Sequence, residues 1–302
     1  MKPVKQIDIK GNMKVNELIN EMSLSGVFGA GKLARAVNIY NSMVNDKAVI
    51  FLGMAGALVP GGMKNIIIDL LENNKVNVLV TTGANLTHDL IEALGSSHFQ
   101  GSEHADDEEL NDKNIDRIYD VFMENKVYGD LEDFFSRHFE ELKDITNIRE
   151  FLWKIGSLLN KKSILKTCYE KKIPVFCPGI ADSGIGLMLN NKIMQGKEIK
   201  LKALDDLNEI IKISMDAKKK GVIYLGGGVP KNYIQQAMQF TTGSDYGIQI
   251  TLDRIETGGS SGAELKEGIS WGKMNKNAKF VNLCCDVTIA LPIIIAALND
   301  RL

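Results

Sequence analysis

Short apolar runs alternate with longer amphipathic runs along most of the chain, and this alternation constrains the fold more than any other feature. The short runs are apolar or β-branched, which is typical of strands buried in a sheet. They predict strands at Ala48 to Leu52, Val76 to Thr81, Ile173 to Cys177, Val222 to Leu225, Gly247 to Thr251 and Phe280 to Cys284. The longer runs predict helices at Met63 to Glu72, Asn85 to Leu94, Ala203 to Met215 and Asn232 to Gln239. Such alternation favours a single doubly wound α/β domain, in which helices cover both faces of a mostly parallel sheet.

Two regions lie outside this rhythm. The first is residues 1–46, in which Val15 to Val44 carry a purely helical pattern. Residues 102–160 open with an acidic run, Glu103 to Asp112, and continue as charged, phenylalanine-bearing segments that predict more helices. No proline- or glycine-rich linker sets either region apart. We therefore interpret them as an N-terminal helical segment and a helical insertion within one domain that spans residues 1–302.

Composition and charge exclude several classes of partner. The chain is 44% hydrophobic and 25% charged, with a formal net charge of -2 and scattered basic residues, so we expect no nucleic-acid partner. The longest apolar stretch, Val287 to Leu298, is too short to cross a membrane and contains Pro292. The four cysteines form no C-x-x-C pair and the N-terminus has no signal-peptide pattern, which predicts a cytoplasmic protein with reduced cysteines.

Ligands of open α/β sheets bind at the carboxyl ends of strands, so the residues that follow each predicted strand are candidates for a site. Gly53 opens a loop of small residues after the first strand, where main-chain N–H groups could approach a phosphate. The spacing is not that of the G-x-G-x-x-G motif, and tight packing of a helix on the sheet explains the glycine at least as well. After the last strand, Asp286 precedes a helix start at Thr288.

Three further strand ends carry polar or glycine-rich loops. Thr81, Thr82 and Gly83 follow the second strand, where a hydroxyl-rich wall for a nucleotide and a helix cap are both open interpretations. Asp182 lies in a glycine-rich loop after the third strand and equally fits a cap or a ligand contact. The triple glycine that begins at Gly226 follows the fourth strand, and such a run is costly to order unless a ligand or another backbone approaches it closely.

Trp271, Gly272 and Lys273 follow a glycine-rich stretch, residues 258–262, and the carboxylate of Glu267. A lysine crowded by an indole and a carboxylate can lose its proton through desolvation and attack a carbonyl or imine carbon. The tripeptide also fits a surface lysine that caps a turn. Its neighbours along the chain decide between these interpretations.

The histidines and serines of the sequence support neither a metal site nor a serine hydrolase. The four histidines lack the tight spacing of metal ligands, and we interpret them as exposed or capping residues: His88, His98, His104 and His138. We therefore predict no metal site. No G-x-S-x-G motif is present, so a hydrolase of that type has no support.

Taken together, these loops resemble the deoxyhypusine synthase family over nearly the whole chain. The residues that carry the resemblance are Phe51-Leu52-Gly53, Val78-Leu79-Val80-Thr81-Thr82, Asp89-Leu90-Ile91, Ile173-Pro174-Val175-Phe176, Asp182, Leu225-Gly226-Gly227-Gly228-Val229, Ser261-Gly262-Ala263 and Ser270-Trp271-Gly272-Lys273. Their joint occurrence and order are far more specific than any single motif. The resemblance implies a Rossmann-like fold that binds NAD, a homotetramer with active sites shared at a dimer interface, and a polyamine substrate, spermidine.

The resemblance also implies roles for individual residues. Lys273 would capture the aminobutyl group of spermidine as an imine and pass it to a lysine of the hypusine-bearing translation factor. The residues expected at the substrate are Trp271, Glu267, Asn232 and Ser261. The residues expected at NAD are Gly53, Thr81, Thr82, Gly83, Asp182, Gly226, Gly227, Gly228 and Asp286.

The chain departs from the family pattern at several polyamine-binding positions. Asn232 stands where the family has a histidine, and Leu187 and Ser260 stand where it has acidic residues. These departures leave two alternatives open: a homospermidine synthase-like enzyme that uses putrescine or another small amine as acceptor, and a non-catalytic, NAD-binding regulatory paralogue. The presence of Lys273, Trp271 and Glu267 together argues against the paralogue.

Overall fold

The computed structural model describes residues 1–301. Its strands are β1 (Val49–Met54), β2 (Val78–Thr81), β3 (Phe99–Gln100), β4 (Ile115–Ile118), β5 (Val121–Glu124), β6 (Val175–Phe176), β7 (Lys220–Leu225), β8 (Ser244–Thr251) and β9 (Met274–Cys284). Its helices are α1 (Val15–Ser25), α2 (Phe28–Asn45), α3 (Lys64–Glu72), α4 (Gly83–Leu94), α5 (Asp107–Asp112), α6 (Val127–Arg137), α7 (Phe139–Leu142), α8 (Ile148–Ser157), α9 (Ile164–Lys171), α10 (Gly184–Met194), α11 (Ala203–Asp216), α12 (Gly228–Met238) and α13 (Val287–Asn299).

The main sheet has six strands in the order β6-β2-β1-β7-β8-β9. Strand β7 pairs in parallel with β1 on one side and β8 on the other, and β8 pairs in parallel with β9. The alternating pattern thus correctly predicts a mostly parallel α/β sheet. Strand β9 begins six residues before the predicted start at Phe280, because its first half is polar, is exposed at Lys276, Asn277 and Lys279, and so carries no apolar run.

The chain divides into two compact units, so the single domain stays a prediction. The first unit comprises Met1–Ala55, Asn74–Val80 and the chain from Leu207 onward. Its core lies on strands β1, β7 and β8, where Phe51, Leu52 and Val222 are fully buried. Helix α13 contains Pro292 and packs against α1 and α2. None of the helices within residues 1–301 is both long and apolar enough to cross a bilayer.

The second unit comprises Gly56–Asn73 and Thr81–Asp206. Its helices bury aromatic side chains such as Phe134, Phe135 and Phe151. Residues 102–160 are not purely helical, which corrects the prediction for this region. Strands β4 and β5 form an antiparallel hairpin that pairs with β3.

The hairpin escaped prediction because its strands are short and half-polar. Tyr119 follows β4 with a left-handed φ of 56°, a conformation that allows the chain to reverse but is uncommon for an aromatic residue. Arg117 on β4 is held by Asp107 through Nε and Nη2, at 2.6 and 2.5 Å. Strands of this length carry too little hydrophobic periodicity to distinguish them from helical turns.

Candidate active site

The triple glycine between β7 and α12 is required by a close approach of a second backbone segment. A Cβ built on Gly227 would lie 2.3 Å from Cα of Ser261. Gly226 and Gly228 have positive φ values of 75° and 59°, which glycine adopts without strain. The N–H of Gly228 donates a hydrogen bond of 2.8 Å to Oγ of Ser261. Of the two explanations that the sequence leaves open at Gly227, the structure therefore supports the approach of another backbone.

A surface cavity of about 420 Å³ opens at the amino-terminal end of α12. Its lining residues are Gly228, Val229, Asn232, Tyr233, Gln236 and Ser260. Asn232, predicted from the sequence to contact substrate, thus lies in its wall. The polar side chains of the lining are amides and hydroxyls, so the wall offers hydrogen bonds without a formal charge.

Lys273 and Trp271 lie together on the turn that leads into β9. Nζ of Lys273 is 5.0 Å from the centre of the Trp271 ring, a cation–π contact. Gly272 has a φ of 70°, and the N–H of Lys273 donates to the carbonyl of Gly268 at 2.8 Å. The indole is 60% exposed and Lys273 is half-buried. The amine of Lys273 can therefore meet an incoming substrate, and the ring beside it can stack on an alkylammonium group.

Glu267 lies on a 3₁₀ turn, Leu265–Ile269, that precedes this tripeptide. Its side chain is exposed. The amide of Gln239, just after α12, donates to the carbonyl of Trp271 at 3.1 Å and so connects the tripeptide to the carboxyl-terminal end of that helix. The first unit accordingly holds the predicted substrate residues on two neighbouring segments, α12 and the chain from residue 260 to residue 273.

Lys231 is a residue of this region that the sequence did not single out. Its side chain is 1% exposed, and Nζ donates to the carbonyls of Ser260 at 2.5 Å and Ala263 at 2.6 Å. Burial lowers the pKa of Lys231 to about 8, against the opposing effect of Glu267, and the charge of Lys273 lowers it further. One sequence pattern could have indicated that Lys231 is buried. It lies about one helical turn after Gly228 and about one turn before Ile234, on the same buried face of α12.

Two residues predicted to contact the cofactor have structural partners in the first unit. Gly53 is buried, and a Cβ there would lie 3.0 Å from Cδ1 of Tyr224 and 3.2 Å from Cδ1 of Ile234. Tight helix packing, the alternative given for Gly53, therefore accounts for that glycine. The carboxylate of Asp286 caps α13 by accepting the N–H of Thr288 at 2.7 Å. A cofactor contact at either residue stays a prediction.

In the second unit, Thr82 caps α4. Its hydroxyl accepts the N–H of Asn85 at 3.3 Å. Oδ1 of Asn85 accepts the N–H groups of Leu58 and Val59, at 3.1 and 3.4 Å. Thr81 is fully buried at the end of β2. The capping alternative is thus realised at Thr82, and the amide of Asn85 organises the loop that follows β1.

Gly83 and Asp182 flank a close contact in the second unit. A Cβ on Gly83 would lie 2.5 Å from Cβ of Ser183, so this glycine is required by the approach of the 182–184 segment. Ser183 caps α10 through Oγ, which accepts the N–H of Gly186 at 3.0 Å. Ser183 therefore supplies the cap, whereas Asp182 is exposed and its carboxylate has no hydrogen bond or ion pair within residues 1–301. Its carboxylate is available to a ligand.

The histidines of the second unit correct another expectation. His98 is nearly buried, with Nδ1 2.8 Å from Oε1 of Glu92 and Nε2 2.9 Å from Nδ1 of His88. Lys64 binds the other oxygen of Glu92. Burial, followed by the neighbouring His98, lowers the pKa of His88 to about 4. Describing His88 and His98 as exposed or capping was wrong, because spacing along the sequence cannot reveal a pair formed between a helix and the loop after it.

Comparisons with known proteins show the family of the chain. A family model described as deoxyhypusine synthase matches residues 17–298. The chain is 46% identical over 304 residues to "Probable deoxyhypusine synthase 1" of Methanosarcina acetivorans, with 99% of this chain and 95% of the relative covered. It is 41% identical over 295 residues to the protein of that description from Archaeoglobus fulgidus, with 97% of each chain covered.

The fold is also similar to a solved structure described as a candidate deoxyhypusine synthase from Entamoeba histolytica. The TM-score is 0.64 at 18% identity, and the match covers 97% of this chain and 96% of that chain. At this identity the structural likeness bears on the fold alone. The family model and the archaeal relatives settle the assignment: this chain belongs to the deoxyhypusine synthase family.

Proposed function

We propose that this enzyme, a transferase by its family, moves the aminobutyl group of spermidine to an acceptor amine, a lysine side chain of the hypusine-bearing translation factor. The observation that carries the proposal is the position of Lys273, half-buried beside the exposed ring of Trp271 on the turn before β9. The names of the archaeal relatives support the same reaction. No other lysine of the chain combines the family's W-G-K tripeptide with an exposed indole.

We also propose NAD as the cofactor. When bound, NAD accepts the electron pair and proton that leave the amine as it is oxidised and later returns them. The first unit fits such a group at the amino-terminal end of α12, an eleven-residue helix whose dipole favours an anionic diphosphate, although the N–H of Gly228 is already bound to Oγ of Ser261. Gly228 leaves room there, since the nearest atom to a Cβ built on it is Oγ of Ser261 at 3.8 Å.

The remaining predicted NAD residues stay proposals. Four of them, Thr81, Thr82, Gly83 and Asp182, belong to the second unit, and the exposed carboxylate of Asp182 can accept hydrogen bonds from ribose hydroxyls. Isothermal titration of NAD into Asp182→Asn tests this residue. We expect weaker binding than in the wild type, with Asp205→Asn, another exposed carboxylate of this unit, as the control. Equal affinities would remove Asp182 from the site.

The reaction proposed for Lys273 balances with NAD as the only redox reagent, since the electrons removed in the first step return in the last. Once the secondary amine of spermidine is oxidised to an imine, Nζ of Lys273 forms a bond to the imine carbon. The original carbon–nitrogen bond breaks, and 1,3-diaminopropane leaves with its electron pair and takes up a proton. The acceptor amine then attacks the Lys273-bound imine and releases Lys273, and reduction of the new imine completes the product. Trp271 stacks on the alkylammonium chain, and Glu267 pairs with an ammonium group.

Borohydride trapping tests the proposal directly. The protein is incubated with NAD and spermidine, reduced with borohydride and digested, and the peptide that contains Lys273 is examined by mass spectrometry for a butylamine adduct. We expect the adduct in the wild type and in Lys266→Arg, an exposed lysine near the same turn, and none in Lys273→Arg. An adduct that persists in Lys273→Arg would show the residue assignment to be wrong. Absence of any adduct, and of NADH fluorescence with every di- and triamine, would reject the reaction.

The acceptor is tested separately. The unreduced adduct on Lys273 is formed first, and the translation factor or putrescine is then added. The product shows which amine removes the butylamine group from Lys273. We expect transfer to the protein lysine. Release by putrescine alone would support the homospermidine synthase-like alternative, and NAD binding without any adduct would support the regulatory paralogue.

We propose a homotetramer in the cytoplasm. Large apolar side chains are exposed on the first unit, which is typical of a surface that another chain covers. They include Val229, Phe240, Leu252, Ile255, Trp271 and Ile289. All four cysteines are free, as expected in a reducing compartment. Light scattering coupled to size-exclusion chromatography measures the assembly, and a monomer at micromolar concentration would contradict it.

A further inference from the structure

We propose that Lys231 is a positioning residue that holds the Ser260–Ala263 segment against α12 and thereby sets the affinity of the cavity for the amine substrate. This inference rests on the proposed function for the identity of the substrate. It concerns a residue that neither forms a bond to the substrate nor lines the cavity.

The contacts place Lys231 at the base of the cavity wall. Its ammonium group donates to the carbonyls of Ser260 and Ala263, at 2.5 and 2.6 Å, and so holds both ends of this four-residue segment. One turn earlier, the N–H of Gly228 donates to Oγ of Ser261. The first turns of α12 therefore hold the segment at three points, and two of the three depend on one side chain.

Apart from α12, one side chain holds the segment: the amide of the buried Gln249 donates to the carbonyl of Ser261 at 3.0 Å and leaves the carbonyls of Ser260 and Ala263 to Lys231. Gly258, Gly259 and Gly262 interrupt this stretch, and Gly258 has a left-handed φ of 69°. The hydroxyl of Ser260, which lines the cavity, reaches only the carbonyl of Gly228 at 3.5 Å. Without the ammonium group, the two carbonyls would lose their donor and the wall of the cavity would gain freedom.

Stability alone does not account for a cation at this position. The side chain is 1% exposed, and within residues 1–301 no carboxylate lies within ion-pair distance of its Nζ. A buried ammonium that is satisfied by carbonyls is costly compared with an apolar side chain of similar size. The arrangement is instead suited to fixing the position of main-chain carbonyls that have no other donor near them.

The experiment compares Lys231→Met with Lys220→Met and Lys231→Arg. Lys220 is a matched control, since it is 4% exposed in the same unit, donates to the carbonyl of Ala217 at 3.4 Å and lies at the opposite end of β7. Three quantities are measured: hydrogen–deuterium exchange of the amides of residues 259–263, the KM and kcat for spermidine in NADH formation, and the thermal midpoint. If Lys231→Met does not fold, Lys231→Gln takes its place.

We expect Lys231→Met to exchange these amides faster and to raise the KM for spermidine by about tenfold, with a smaller change in kcat. Lys231→Arg, which keeps the donors, restores KM to within about threefold of the wild type. Lys220→Met changes the thermal midpoint but neither exchange nor KM. A purely structural role would lower kcat through loss of folded enzyme and leave KM unchanged.

Unchanged exchange in Lys231→Met, faster exchange with unchanged KM, or an equal rise of KM in Lys220→Met would each overturn the proposal. Failure of the proposed function is separate, because it appears as a wild type that gives no adduct on Lys273. In that case exchange together with the dissociation constant for spermidine, measured by titration calorimetry, decides the role of Lys231.

Discussion

Helix α12 in the first unit and helix α4 in the second both follow a strand of the parallel sheet, but they use their polar groups differently. At the start of α12, the triple glycine allows residues 260–263 to approach closely, and Lys231 donates to the carbonyls of Ser260 and Ala263. The cavity beside them has a lining without formal charges. At α4, polar side chains are already bound within the unit. Asp89 accepts the N–H groups of Ile164 and Leu165 at 2.8 and 3.0 Å.

This difference separates a proposed binding end from a structural one. Asp89 is fully buried and each of its oxygens accepts an N–H group from the first turn of α9, so a ligand has no access to this carboxylate in the fold. Its presence among the family motifs therefore has a packing explanation. Position at a strand end alone does not identify a ligand contact, and the partners of each polar atom must be known.

The sharpest test of the comparison replaces the proposed nucleophile. Lys273→Arg keeps the charge and the contact with Trp271 but cannot form the imine, so we expect turnover to fall by about 10³-fold or more. The thermal midpoint should stay within a degree or two, since Lys273 is only half-buried. Steady-state kinetics and calorimetry measure both. Near-normal turnover in this variant would show that Lys273 is not the nucleophile and that the reaction does not take place beside α12.

Gly227→Ala tests whether the close backbone approach is essential at that end. The added Cβ would meet Cα of Ser261 at 2.3 Å and displace the 260–263 segment. We expect a loss of about 1–3 kcal/mol in the free energy of unfolding, together with lower affinity for the amine. Gly129→Ala in α6, where a Cβ meets nothing within 4 Å, is the control and should be neutral or stabilising. Urea titration that finds the two variants equal would contradict the close contact.

Asp89→Asn tests the structural role of Asp89 on α4, which holds two main-chain N–H groups at the start of α9. An amide can accept only with its oxygen, so one of the two N–H groups at the start of α9 loses its acceptor, at a cost of about 1–2 kcal/mol. Denaturant unfolding measures this loss. The affinity for NAD, measured on the folded variant, should not change. A large loss of NAD affinity without a loss of stability would instead make Asp89 a ligand contact.

His88 gives the smallest expected effect, and it depends on pH. The pKa of His88 in the fold is lowered to about 4, whereas the unfolded residue titrates near 6.5, so the unfolded chain binds the extra proton first. Stability contributed by the neutral residue is therefore present above pH 6.5 and is lost as the pH falls toward 4. We expect the wild type to lose roughly 1 kcal/mol more than His88→Gln between pH 7.5 and pH 5, after allowance for its partial exposure. Parallel pH profiles of the two thermal midpoints would show that the shift is absent.

Local patterns predicted much of the fold and part of the site. The apolar runs located the six strands of the main sheet, because burial on both faces demands continuous hydrophobic sequence, although β9 begins six residues before its predicted start. Trp271, Lys273 and the triple glycine were identified by motifs whose members are adjacent in the chain. The hairpin of β4 and β5 was missed, since its half-polar strands lack a decisive period.

What the sequence determined by itself is the local content: where the strands of the main sheet form, which glycines must tolerate unusual geometry, and which tripeptide carries the lysine that we propose as the nucleophile. The tertiary structure decided which polar groups meet. Only the folded chain brings Lys231 to the carbonyls of residues 260 and 263, and joins His98 to His88 and Glu92. The physical reason is that hydrogen bonds and burial depend on distances between segments remote along the chain, which no local pattern encodes.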